Sequence, residues 1–177
     1  MSLDIQHELV PLRAMAHPLR LQILSLTTGA ALSAAELAAE LGIAHAAASY
    51  HARQLADAGL LQVVEDEGDR SGPGRPPVRY RYDFRLGGHL DRSDGAEALW
   101  AATAQDMQRR IRLRTRHHVG ADAEVWMAPE DFDEVCALAQ RISDLMHERA
   151  RAPHADGTVH ASVSVYAFEL GDAPAKR

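Results

Sequence analysis

Between Ser33 and Gly59 the chain carries two short helical patterns, each closed by a glycine, with a three-residue turn between them. Few folds accommodate that arrangement. Ser33 and Glu36 have the spacing of a capping box, and Leu32 and Leu37 sit where a hydrophobic staple places its apolar pair. The spacing predicts a helix from there to Leu41, stopped at Gly42, where the lack of a Cβ permits a left-handed cap. A second helix is predicted from His45 to Ala58, stopped at Gly59. Its Ala48, Ala52 and Leu55 recur at i, i+4 and i+7, so one stripe packs on the helix before it. Two short helices joined by a tight glycine-containing turn form a helix-turn-helix.

The flanks suit the same unit. Residues 6–16 and 18–28 read as helices divided by Pro18, which fits a first helical position because its missing N–H costs nothing there. Leu19, Ile23 and Leu26 give the second of these its apolar stripe, and Gly29 ends it. Residues 60–65 and 78–84 alternate with period two and are predicted strands, with Leu61 and Val63 on one side of the first. The stretch 66–77 between them is rich in Gly, Pro and charge and reads as a long hairpin tip. A hairpin directly after a helix-turn-helix is a wing.

The composition shifts at Gly87-Gly88. Asp94 and Glu97 offer a second capping box, for a helix to about His118. Residues 124–127 are a short strand candidate. Pro129 opens a helix to Arg149 with Phe132, Val135, Cys136, Ala139, Ile142 and Met146 as its apolar stripe. Acids crowd its first turns and Arg149 and Arg151 follow its end, as the helix dipole favours. Residues 158–170 alternate apolar and polar, predicting a last strand that pairs with 124–127. The fold class expected is mainly α (α+β): a winged helix-turn-helix domain over 1–86, then a C-terminal α/β extension over 87–177 for dimerisation or effector binding.

At 46% apolar and 25% charged residues the composition is that of an ordinary globular protein. No apolar run approaches the roughly 18 residues of a membrane span, and the N-terminus shows no signal pattern. A cytoplasmic protein without membrane contact is expected. Cys136 is the only cysteine, which excludes an internal disulfide and a thiolate cluster within one chain. In a helix it reads as a small buried apolar residue. The net charge of −6 looks unfavourable for nucleic acid, but the distribution decides. Residues 70–85 hold five arginines (Arg70, Arg75, Arg79, Arg81, Arg85) against one acid, Asp83. Lys176 is the only lysine, so phosphate contacts fall to planar guanidinium forks.

The helix from His45 is the candidate recognition helix. Opposite its apolar stripe stand Ala46, Ser49, Tyr50 and Arg53, again at helical spacing. Small residues at its start permit close approach to a major groove. Ser49 and Tyr50 can bond phosphates or base edges, and Arg53 can reach a guanine or a phosphate. The bland alternative is a solvated face on a core helix. On the wing, Pro73-Gly74-Arg75-Pro76 either places a guanidinium in a narrow A·T-rich minor groove or is a solvated turn. The expected DNA-binding residues are His45, Ala46, Ser49, Tyr50, Arg53, Gln54, Arg70, Arg75, Arg79 and Arg81. The arginine-rich run 109–116 extends that surface, pairs with the acidic start of the 129–149 helix, or is a solvated helix end.

Three runs resemble ArsR-type winged-helix repressors: RAMAHPLRLQIL over 13–24, AELAAELGI over 35–43 and SYHARQLADAGLL over 49–61. The resemblance covers about residues 8–85. It implies a dimeric DNA-binding fold of order α-α-α-α-β-β-α, paired through the first and fifth helices, with Ser49, Tyr50 and Arg53 at DNA-contacting positions. Ala46 and Ala47 depart from the pattern, standing where polar residues often occur, which shifts weight to the wing and to DNA shape. Metal sensing, the best-known activity of that family, meets little support. The Cys-x-Cys site is absent, and of His117, His118, His147, His154 and His160 no two share a helix at i, i+3 or i+4. No metal and no cofactor are expected. No Gly-x-Ser-x-Gly, phosphate-binding glycine loop or His-Glu-x-x-His is present, so no enzyme is expected.

The expected function is a sequence-specific double-stranded DNA-binding transcription regulator, a homodimeric repressor whose extension has room for a small-molecule effector. Two alternatives remain open. One is a metal- or redox-responsive regulator using the histidines or Cys136. The other is a winged-helix protein-interaction module that does not bind DNA, favoured by the net acidity and the alanines, opposed by the wing arginines.

Overall fold

The computed structural model describes residues 10–64, 77–84, 96–115 and 119–171. Helical residues 10–15 (α1) lead into α2 (Pro18–Thr28), β1 (Leu32–Ser33), α3 (Ala34–Leu41) and α4 (His45–Asp57). Strands β2 (Leu61–Val64) and β3 (Arg79–Tyr82) follow, then α5 (Ala96–Arg112) and α6 (Pro129–Arg149).

The helix-turn-helix forms as its end signals direct. Ser33 Oγ accepts from the Glu36 N–H at 3.3 Å, and the Glu36 carboxylate accepts from the Ser33 N–H at 2.7 Å. The capping box is complete, and two orphan amides of α3 are satisfied. Gly42 and Gly59 stop α3 and α4 with φ of 64° and 74°, the region glycine enters without steric cost. Pro18 is the first residue of α2, but the cap comes from an unforeseen source: His17 Nδ1 accepts from the Leu19 N–H at 3.2 Å.

Ala48, Ala52 and Leu55 are fully buried, as their spacing predicts. They pack in one core with Leu12, Ile23, Leu37, Leu60, Leu61 and Tyr80. Each large aliphatic side chain taken from water contributes about 1.5–3 kcal/mol. The two alanines let α4 lie close on α3. Thr27, also fully buried, gives its hydroxyl to the Ile23 carbonyl at 2.8 Å and so leaves no unsatisfied donor in the core.

The sheet has order β1-β3-β2 and is antiparallel throughout. Leu32 and Val63 flank Tyr80 from either side in register. The predicted hairpin strands are present, slightly shorter. β1 was not foreseen: it is two residues long, and one of them is the cap Ser33. Val63 does not share the burial of Leu61; it is 57% exposed, because β2 runs off the edge of the core. The chain is thus a mixed helical protein with a winged helix-turn-helix.

Two compact units can be distinguished: Met1–Thr115 with Ala150–His160, and Arg116–Arg149 with Ala161–Arg177. In the first, α5 packs on α2, with Leu99 against the core. The 150–160 segment belongs to the same unit. The backbone of Arg151 lies where a Cβ on Gly29 would be, and His154 Nε2 meets Glu40 Oε2 at 3.1 Å. In the second unit the predicted 129–149 helix is present as α6. The predicted strands at 124–127 and 158–170 are not strands of the described sheet.

Candidate nucleic-acid interface

The inner stripe of α4 fixes what the helix shows to water. With Ala48, Ala52 and Leu55 buried, His45, Ala46, Tyr50, Arg53 and Gln54 are exposed and Ser49 is half-buried beside them. Six of the sequence-predicted residues therefore share one outward surface. Arg53 folds back along the helix, Nε donating to the Ser49 carbonyl at 3.3 Å, from where it can swing outward. The start of α4 is chemically open. Its N-cap is Ala44, which makes no side-chain hydrogen bond, in contrast to Ser33 at α3.

Tyr50, 55% exposed, is backed by a histidine that spacing alone did not single out. His51 takes its edge at 5.2 Å between ring centroids and 72° between planes. Behind it His17, the α2 cap, lies at 4.9 Å and 39°. Burial pushes the His51 pKa below its ordinary value, with the neighbouring His17 and Arg20 acting in the same direction. The neutral ring therefore underlies the exposed tyrosine. The sequence signal for this is positional: His51 precedes the buried Ala52 and sits on the flank of the stripe.

The wing arginines divide. Arg81 is exposed on β3. Arg79 is committed to the protein: Nη1 donates to Glu36 Oε2 at 2.9 Å and to the Ala31 carbonyl at 3.0 Å. Its strand position faces Ser33, so the wing strand grips the capping box of α3. Arg79, expected at the DNA, is thus engaged within the protein by a carboxylate network. Burial alone would raise the Glu36 pKa. Hydrogen bonds from the Ser33 N–H and hydroxyl, with the Arg79 charge, outweigh burial and hold it below its ordinary value. Arg70 and Arg75 lie outside the described residues.

The second basic run is likewise partly engaged. Arg109 Nε and Arg110 Nε reach the buried carboxylate of Asp106 at 2.8 and 3.0 Å, one turn back on α5. These two arginines pair within their own helix. The same contacts occupy the Asp106 carboxylate. Among the described residues no three His, Cys, Asp or Glu side chains are grouped so as to hold a metal ion. No described helix is long and apolar enough to cross a membrane.

Residues 15–64 match the family model of a helix-turn-helix domain. No curated protein matches the chain. Among solved structures it is similar to the YusO protein from Bacillus subtilis, with 16% identity, a TM-score of 0.35, and coverage of 80% of this chain and 85% of that one. The capped helix pair, the family match over it and the antiparallel hairpin that follows identify the N-terminal part of this chain as a winged helix-turn-helix domain.

Proposed function

We propose that the protein is a transcription regulator that binds double-stranded DNA with α4 in the major groove and the wing beside it. The carrying observation is the outward surface of α4, where His45, Ala46, Ser49, Tyr50, Arg53 and Gln54 lie together over a fully buried inner stripe. Ala46 removes bulk where the helix nears the base edges. Tyr50 and Arg53 bring one hydroxyl and one guanidinium to bases or phosphates. Arg81 contributes from the wing, joined by Arg70 and Arg75. The protein acts as a homodimer and represses by covering a promoter, in the manner of the ArsR-type regulators its sequence resembles. A small-molecule effector releases it by favouring a form in which the two recognition helices no longer match the DNA.

The test is binding to DNA from a random-sequence selection, across a salt series, for the wild type and Arg53→Ala. Selective binding that weakens steeply with salt is expected. Loss of roughly tenfold or more in selectivity in the variant marks a base contact, and a slope shallower by about 0.9 marks a phosphate contact. Failure to enrich any sequence at low salt sinks the reading and leaves the winged helix as a protein-interaction module, which the net charge of −6 favours.

A further inference from the structure

α6 has the spacing of a packed seam and no cover from the described residues of its own unit. Val135, Leu138, Ile142 and Leu145 recur at steps of three, four and three, the a and d places of a heptad. They are 41, 58, 44 and 48% exposed. Phe132, Ala139 and Met146 widen the stripe along one flank. No residue of α6 is buried, nor is any described residue of the unit it belongs to. Helices in proteins draw most of their stability from a packed apolar face. This one, 21 residues long, shows that face to water.

Charge selects the occupant. Glu130, Asp131, Asp133 and Glu134 crowd the first turns, whereas Arg141, His147 and Arg149 lie in the second half. A parallel copy of the helix sets acids against acids. An antiparallel copy sets the acidic start against the end that carries Arg149 together with Asp144 and Glu148, and one register serves the apolar seam and one opposite-charge pair. In it Val135 faces Leu145 of the second copy, Leu138 faces Ile142, and Asp131 faces Arg149 beyond each end of the seam. Glu134, Arg141 and Glu148 fall on the other flank, at the rim, where water screens them.

We propose that α6 is a self-complementary surface on which two copies of the chain pair antiparallel, about a twofold axis passing between Leu138 and Ile142. A surface that pairs with itself closes a dimer and stops there. The pairing rests on the homodimer reading above, and it differs from the first-and-fifth-helix dimer that the sequence resemblance implies.

Sedimentation equilibrium of the full chain tests it. The wild type is expected to be a dimer at micromolar concentration. Leu138→Glu sets a carboxylate against Ile142 of the second copy on each side of the axis and is expected to raise the dissociation constant by about a hundredfold or more. Its circular dichroism should stay unchanged, since Leu138 is in no core of the described residues of its unit. Asp131→Arg is expected to weaken the dimer by roughly tenfold, and the double exchange Asp131→Arg with Arg149→Asp to restore it to within about threefold. A monomeric wild type overturns the proposal. So does a dimer indifferent to Leu138→Glu, or an exchange that fails to rescue. In either dimeric case DNA binding by the wild type, measured separately, decides whether the regulator reading stands with its dimer made elsewhere.

Discussion

Arg79 shows how far a residue's role depends on what lies opposite it. In the sequence it is one of five wing arginines; in the structure its guanidinium is spent on Glu36, forty-three positions earlier. Arg79→Ala is therefore expected to lower unfolding stability by roughly 0.5–1.5 kcal/mol and to leave the salt slope of DNA binding unchanged. Arg81→Ala should do the reverse; urea denaturation and a salt titration on both variants separate the two. Glu36 adds a pH dependence with a definite sign. Its folded pKa lies below the unfolded one, so its contribution is present above the unfolded value and is lost as pH falls through the folded value. Glu36→Gln should flatten this acid limb of a stability–pH curve, with the difference from wild type shrinking toward low pH. None of this was legible from spacing, because the partner is chosen by strand register and not by local pattern.

At the scale of elements, the sequence is clearest where one segment contains its own instructions. The capping box, the two glycine stops and the Ala48, Ala52, Leu55 stripe are local statements, and each is realised. Elements that need a distant partner were not readable in the same way. β1 exists because Leu32 and Ser33 meet β3, which no local pattern announces. The same holds for the passage of residues 150–160 over the end of α2. Gly29 was read as a helix stop, yet its more demanding task is to leave room for the Arg151 backbone. Gly29→Ala is expected to cost about 1–3 kcal/mol and to raise the proteolysis rate of the 150–160 segment. Unchanged stability and unchanged cleavage would remove that packing argument. In the candidate site, Tyr50 and Arg53 were legible as an outward face, whereas the His51 and His17 rings behind Tyr50 were not. They lie on separate helices brought together only by the fold.

For the whole molecule, the geometry of a twofold dimer dictates the shape of its DNA. In the proposed dimer, two copies of α4 related by one axis would read two inverted half-sites, with centres about 34–36 Å or a multiple of that apart. A footprint with twofold symmetry is the expected result. Insertion of about half a helical turn between the half-sites, roughly 5 base pairs, should abolish tight binding. A tight complex tolerant of that insertion would mean that the copies bind independently. Net acidity need not oppose this: residues 70–85 concentrate arginine, and only charge within about a Debye length, roughly 8 Å at physiological salt, strongly shapes a local contact.

The bare beginning of α4 has a consequence in time as well as in space. α3 is born finished, its amides held by Ser33 and Glu36, whereas α4 opens on Ala44 with no side chain to close it. A helix begun this way is completed by whatever anion arrives, and a DNA phosphate is shaped for the purpose. The free protein should then keep its reading head slightly frayed and let the operator anneal it. Amide deuterium uptake makes that visible: exchange at His45 and Ala46 should slow on adding operator DNA, while the already closed start of α3 keeps the same clock with or without it.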